Sequence, residues 1–155
     1  AQMASFVSLF LRREMILKYG LLICDFFIWT DDWEYTRRIS RSERCYVVCS
    51  STAVHAMKKK TIVNIAKDTP DRLPRYRYFY RNDVYLYRRE GLRGWLWLIA
   101  KDIWHCVQVL LFAPSEKANR LKTIVGGFKT GACFHPPIDT LAQGDQIWDG
   151  TEAGG

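Results

Sequence analysis

The sequence has little of what metal sites and disulfide frameworks require. It contains three histidines, and no two of its aspartates stand two positions apart. Its five cysteines are an odd number in a chain without a secretory signal pattern, which argues against a disulfide framework and favours a reducing compartment. Cys45 and Cys49 lack a second Cys/His pair at ligand spacing, so a zinc site is not predicted.

The sequence also lacks an uncharged run long enough to cross a membrane. Its longest apolar stretch extends from Trp95 to Phe112, with Lys101 and Asp102 at its centre. A spanning helix would have to bury both charges in hydrocarbon, at a large cost. We therefore predict no transmembrane span.

Apolar residues make up 48% of the 155 residues, which is enough for the core of one folded domain. The formal charge of +7 is unevenly distributed. Residues 58–139 carry 16 basic and 7 acidic side chains, an excess of 9, whereas residues 1–57 carry 7 and 6. The basic character therefore belongs to the middle and later part of the chain.

Hydrophobic periodicity predicts strands and helices in the first part of the chain, which favours an α/β class. The predicted helices are Arg12–Tyr19, ended by Gly20, and one from Asp31 or Asp32 to about Ser40. The predicted strands are Ser5–Leu11, Cys45–Cys49 and Thr52–His55.

From Lys58 onward the pattern becomes basic, aromatic and helical. Three helices are predicted, at about Arg75–Arg89, Trp95–Phe112 and Glu116–Phe128. Residues from Thr140 onward are Gly-rich and acidic, and we expect them to be disordered. The predicted organisation is therefore an α/β part at 1–60, a basic aromatic helical region at 61–139, and a tail at 140–155.

Three carboxylates, those of Asp31, Asp32 and Glu34, lie within four residues. One interpretation is structural, because acidic residues at the start of a helix cap it and suit its dipole. The other is that one carboxylate removes a proton as a general base. Both can hold at once.

His55 follows the apolar residues Thr-Ala-Val. Such a histidine can be structural, satisfying one hydrogen bond and packing its ring. It can instead be a metal ligand through a neutral nitrogen. Spacing alone leaves both interpretations open.

The order of motifs resembles family 2 glycosyltransferases of the rhamnosyl- and galactofuranosyltransferase-like group. The most specific block is Asp-Phe-Phe-Ile-Trp-Thr-Asp-Asp-Trp-Glu-Tyr at 25–35, followed by Cys-Tyr-Val-Val at 45–48 and Val-His-Ala-Met at 54–57. Residues 76–82 and Gly-Gly-Phe-Lys-Thr-Gly at 126–131 continue the resemblance, which covers nearly all of 4–138.

This resemblance implies a partial GT-A fold of the α/β class and an inverting transfer from a nucleotide-sugar donor to a glycan or lipid-linked glycan, in bacterial cell-surface polysaccharide synthesis. Asp32 would be the catalytic base and Asp31 would orient it or the acceptor. Glu34, Trp29 and Trp33 would bind the acceptor, and His55 would help to hold a divalent metal, Mg or Mn, in the complete enzyme.

The chain departs from the family pattern on the donor side. The Asp-x-Asp motif and the N-terminal nucleotide-binding half are absent, so we expect a fragment that binds neither a nucleotide sugar nor a metal well by itself. One histidine cannot hold such an ion unaided.

The basic aromatic region permits peripheral membrane contact, because amphipathic helices rich in Trp, Lys and Arg lie in membrane interfaces. Alternatively, the aromatics pack within the enzyme and the charges are solvated. Nucleic-acid binding is not expected, since no recognised motif accompanies the charge. A non-catalytic membrane- or protein-interaction module that self-associates is the remaining alternative. The expected location is cytoplasmic, at the cytoplasmic face of the membrane for a lipid-linked acceptor.

Overall fold

The computed structural model describes residues 2–56 and 63–141. The described residues form five α-helices, which are connected by short 3-10 turns and loops. In chain order the helices are α1 (Arg13–Tyr19), α2 (Asp31–Ser40), α3 (Leu73–Arg88), α4 (Gly91–Phe112) and α5 (Lys117–Ala132).

The predicted α/β class, and with it the partial GT-A fold, is wrong for the described residues, which contain helices and no strand. The predicted strand Ser5–Leu11 contains instead a 3-10 helix, Phe6–Ser8. The segments Cys45–Cys49 and Thr52–His55 have no helical or strand structure, and Val47 and Val54 are 71% and 88% exposed. Strand-forming composition yields a strand only where a second strand can pair with it, and these segments have none.

The predicted helices are confirmed, with shifted ends. Gly20 ends α1 with a φ of +78°, a conformation that glycine adopts readily. Pro74 lies in the first turn of α3, where its missing N–H costs no helical hydrogen bond. α4 begins at Gly91, four residues before the predicted start.

Helices α3, α4 and α5 pack together around the main core. α5 approaches α3 closely because two glycines face it: a Cβ on Gly127 would lie 2.5 Å from the Cβ of Tyr80, and one on Gly131 would lie 2.6 Å from that of Val84. The Gly-Gly-Phe-Lys-Thr-Gly stretch therefore has a packing role. The buried core residues are Ile65, Ala66, Leu73, Tyr76, Tyr80, Val109, Ala113 and Ile124.

The part of the chain before residue 57 packs on α3 through polar contacts and a small second core. Arg37 of α2 makes two hydrogen bonds, of 2.8 and 2.7 Å, to the Glu90 carboxylate. These contacts lower the pKa of Glu90 to about 2. Ile23 and Phe26 pack with Tyr85 of α3. The predicted domain boundary near Lys58 and the predicted disordered tail beyond residue 141 lie outside the described residues.

α4 differs from the other helices in the amount of apolar surface that it exposes. Among the described residues it is the one helix long and apolar enough to cross a membrane by length and composition. Only 17% of its most apolar 18-residue window is buried inside the protein.

Candidate functional site

The acidic cluster of Asp31, Asp32 and Glu34 forms the first turn of α2. This position suits the carboxylates, because the N-terminus of a helix carries a partial positive charge. Thr30 is the N-cap residue, yet its side chain makes no capping hydrogen bond to the helix. The cluster thus lies where the structural interpretation places it relative to the helix dipole, but the N-cap residue is Thr30 and not an aspartate.

The backbone before the cluster is strained. Phe27, Trp29 and Thr30 have φ angles of +60°, +62° and +67°, which side-chain-bearing residues rarely adopt. The N–H of Ile28 donates a 2.6 Å hydrogen bond to the carbonyl of Phe26, so Phe27 is the centre of a γ-turn of the rare type. Each such residue costs about 1–3 kcal/mol, and surrounding contacts must stabilise the turn.

Asn82 of α3 provides the main contacts to this turn. Its fully buried Nδ2 lies 3.0, 3.1 and 3.0 Å from the carbonyl oxygens of Phe26, Ile28 and Trp29. The two N–H groups of this amide are shared among three carbonyl oxygens. Because Asn82 is on a packed helix, the turn has a fixed position relative to the bundle.

Asp83, the next residue of α3, anchors the residue that precedes the cluster. The Thr30 hydroxyl donates a 2.9 Å hydrogen bond to Asp83 Oδ1, and Lys101 of α4 donates a short hydrogen bond to Oδ2. Burial raises the pKa of Asp83, while Lys101 and Thr30 oppose the shift. Thr30 therefore uses its hydroxyl to connect the turn to α3 and α4 and leaves the end of α2 accessible.

Asp32 is partly exposed at this helix end. Burial raises its pKa above the ordinary value, and the charge of Asp31 adds to the increase. The N–H of Trp33 and the Ser5 hydroxyl donate hydrogen bonds to its carboxylate and oppose the shift. A carboxylate with a raised pKa that still faces solvent is a better proton acceptor than an ordinary surface aspartate. Asp31 is also partly exposed beside it.

Glu34 is buried, and both of its carboxylate oxygens are occupied by Arg38, at 3.2 and 2.7 Å. Arg38 also donates to the carbonyl oxygens of Tyr19 and Leu21. In this arrangement Glu34 fixes α2 against the chain that follows α1. Its predicted contact with an acceptor stays a prediction.

The two tryptophans predicted to bind an acceptor have different environments. Trp29 packs against Tyr76 and Phe79, with ring centroids 5.2 and 5.9 Å away, and is partly buried. Trp33 is 44% exposed and follows Asp32 directly. Trp33 is therefore the better placed of the two to stack on a sugar ring.

His55 is exposed in the loop that precedes the undescribed residues 57–62. Within 2–56 and 63–141, no three His, Cys, Asp or Glu side chains form a group that could hold a metal ion. The predicted role of His55 in holding Mg or Mn stays a prediction.

Sequence reasoning missed the residues that hold the turn. Asn82 and Asp83 lie in a helix of otherwise basic and aromatic residues, and both are nearly completely buried. A buried Asn-Asp pair on the apolar face of an amphipathic helix indicates polar partners inside the fold. That signal was present in the sequence, although it could not identify the partners.

Comparisons of the chain with protein families, with curated proteins and with solved structures found no match.

Proposed function

We propose that this chain supplies the acceptor-side residues of an inverting glycosyltransferase, which transfers a sugar from a nucleotide-sugar donor to a glycan or lipid-linked glycan in cell-surface polysaccharide synthesis. The observation that carries the proposal is the strained Phe27–Thr30 turn, which Asn82 and Asp83 hold so that α2 presents Asp31 and Asp32 at an accessible helix end. Strain of this kind is retained where function needs it. An ordinary helix cap would require neither the turn nor its two buried anchors.

In the proposed reaction Asp32 accepts the proton of an acceptor hydroxyl. The oxygen of that hydroxyl forms a bond to the anomeric carbon of the donor sugar. The bond between that carbon and the diphosphate oxygen breaks, and the nucleoside diphosphate leaves with the electron pair. Because the displacement is a single in-line step, the configuration at the anomeric carbon is inverted. Its raised pKa favours Asp32 as the proton acceptor.

Asp31 and Trp33 complete the acceptor side in this proposal. Asp31 accepts hydrogen bonds from neighbouring hydroxyl groups of the acceptor, and Trp33 offers its exposed indole face to a sugar ring. In this proposal the nucleotide-sugar donor is bound by residues other than those described. A divalent metal bound with the donor would neutralise the charge of the leaving diphosphate. The helical architecture of residues 2–56 and 63–141 does not oppose this role, because an activity depends on its site rather than on a fold class.

Acceptor binding can be tested on the chain as it is. Oligosaccharides from bacterial cell-surface polysaccharides would be titrated while intrinsic fluorescence and calorimetry report binding. Trp33→Ala should weaken binding about tenfold through lost stacking. Trp104→Ala, which removes a similarly exposed tryptophan on α4, is the matched control and should leave binding unchanged. Equal affinities for Trp33→Ala and the unmodified chain would contradict the assignment.

A non-catalytic interaction module is the rival function. It would account for the exposed apolar surface of α4, but it gives no reason for three strained residues before an acidic helix end. The site therefore favours the enzyme.

A further inference from the structure

The outward side of α4 is a continuous apolar surface, which we call the α4 outer face. Leu92, Leu96, Ile103 and Leu111 are 59% to 75% exposed along the 22-residue helix. Apolar patches on soluble proteins rarely extend this far unless something covers them. The exposed large residues of α4 are Leu92, Leu96, Trp97, Ile99, Ile103, Trp104, Leu110, Leu111 and Phe112.

Three titratable side chains in the middle of α4, those of Lys101, Asp102 and His105, are turned towards the interior of the protein. Between Gly94 and Phe112 the charged residues are Lys101 and Asp102. Lys101 hydrogen-bonds to the buried Asp83, and Asp102 is only 7% exposed. Nδ1 of His105 lies 2.9 Å from the Tyr80 hydroxyl, and burial lowers the pKa of His105 to about 4, so the ring is neutral at pH 7. The two charges that argued from the sequence against a transmembrane span are therefore on the inner side of α4.

The chemistry of the α4 outer face suits lipid better than another protein. Protein interfaces carry about one hydrogen bond per 100–200 Å². Of the exposed side chains between Gly94 and Phe112, only those of Trp97 and Trp104 can donate a hydrogen bond, and the exposed Arg93 lies at the start of the helix. Hydrocarbon requires no hydrogen bonds, and indole rings are favoured at headgroup depth, where the N–H meets water and the ring meets acyl chains.

The packing of α4 fixes how it can meet a membrane. Its inner side contacts α3 and α5. Those helices expose charged residues such as Arg77, Lys122 and Lys129. A perpendicular, spanning α4 would draw these charges into hydrocarbon, whereas a helix parallel to the surface leaves them in the headgroup region near anionic lipid.

We propose that the α4 outer face is embedded in the boundary between headgroups and acyl chains of an anionic membrane, with α4 parallel to the membrane surface. The excess of nine basic residues in 58–139 supplies the electrostatic attraction.

Docking of α4 would also fix the acidic cluster relative to the membrane. Lys101 of α4 holds Asp83, and Asp83 holds Thr30, next to Asp31. A lipid-linked acceptor would then be held in the same membrane as the protein that carries Asp32. This identification of the acceptor class rests on the proposed function, whereas membrane docking does not.

The test is flotation of the full chain with phosphatidylcholine vesicles, with and without phosphatidylglycerol. The variant Leu96→Lys/Ile103→Lys places two charges on the α4 outer face. Phe10→Lys/Val54→Lys is the matched control, because it also replaces two highly exposed apolar residues with lysines, away from α4. The unmodified chain and the control should float with anionic vesicles, and the α4 variant should lose partitioning about tenfold or more.

Three outcomes would overturn the proposal. In the first, the unmodified chain remains in the soluble fraction at low salt. In the second, the α4 variant floats as well as the control. In the third, sedimentation would show a dimer that the α4 variant abolishes while no form binds vesicles, and the face would be an interface between two copies. Failure of saccharide binding with intact flotation would count against the proposed function alone.

Discussion

The hydroxyl of Thr30 lies 2.9 Å from Oδ1 of Asp83, and this hydrogen bond connects the start of the acidic helix to the helical bundle. Thr30 has a left-handed backbone conformation and would ordinarily use its hydroxyl to cap α2. The bond to Asp83 replaces that cap. The end of the helix that carries Asp31 and Asp32 is consequently positioned by α3 and remains accessible.

Replacing Asn82 with alanine should destabilise the fold by about 3 kcal/mol, because three inward-facing carbonyls lose their common donor. Urea unfolding monitored by circular dichroism would measure the change. Asn119→Ala is the control, since Asn119 is exposed on α5 and its amide contacts only the Glu116 carboxylate. It should change the free energy of unfolding by no more than about 0.5 kcal/mol. Equal effects of both variants would show that Asn82 does not support the turn.

Alanine at two glycines of α5, Gly126 and Gly131, should change the free energy of unfolding in opposite directions. Gly131→Ala brings a Cβ to 2.6 Å from that of Val84 and should cost about 2–3 kcal/mol through forced separation of α3 and α5. Gly126→Ala meets nothing within 4 Å and should stabilise the helix by about 0.5–1 kcal/mol. Thermal unfolding of the two variants gives the comparison. A loss of stability in Gly126→Ala as large as that in Gly131→Ala would contradict the packing described.

Asp102 should make the protein less stable as the pH rises from about 4 to 6. Burial raises the pKa of Asp102 from 3.8 to about 6. Between these values the folded state binds more protons than the unfolded state, so the free energy of unfolding falls by about 2 kcal/mol as the pH increases. The Lys101 ammonium is 3.5 Å away, and neither carboxylate oxygen accepts a hydrogen bond within the described residues.

Asp102→Asn should remove this decrease and leave the variant more stable than the parent at pH 7. The control is Asp139→Asn, at an exposed position after α5, which should keep the pH dependence of the parent. Denaturant midpoints at several pH values between 4 and 7 would decide the matter. If the stability of Asp102→Asn still fell steeply between pH 4 and 6, another titratable group would be its cause.

The helices could be predicted from the sequence, whereas the absence of strands from the described residues could not. Apolar spacing and start and stop residues predict all five helices, including the seven-residue α1, and Gly20 and Pro74 mark ends that the structure confirms. The short apolar run Cys45–Cys49 predicts a strand, but a strand depends on a distant pairing partner that a local pattern does not reveal.

The position of the acidic cluster was also predictable, since Asp at a helix start is a local signal. The contacts that hold the cluster in place could not be predicted. The contacts of Asn82 and Asp83 join residues more than 50 positions apart, and the strained conformations of Phe27 and Trp29 follow from those contacts rather than from local preference.

The most direct test of the account is the rate of sugar transfer by a polypeptide that contains this chain together with a nucleotide-sugar-binding domain, assayed with a lipid-linked glycan acceptor. Asp32→Asn should lower kcat at least about 100-fold while acceptor affinity and unfolding free energy change little, because the amide cannot accept the proton. Glu14→Gln, at an exposed position of α1, is the control. Turnover by Asp32→Asn equal to that of the parent would contradict the assignment of Asp32 as the base.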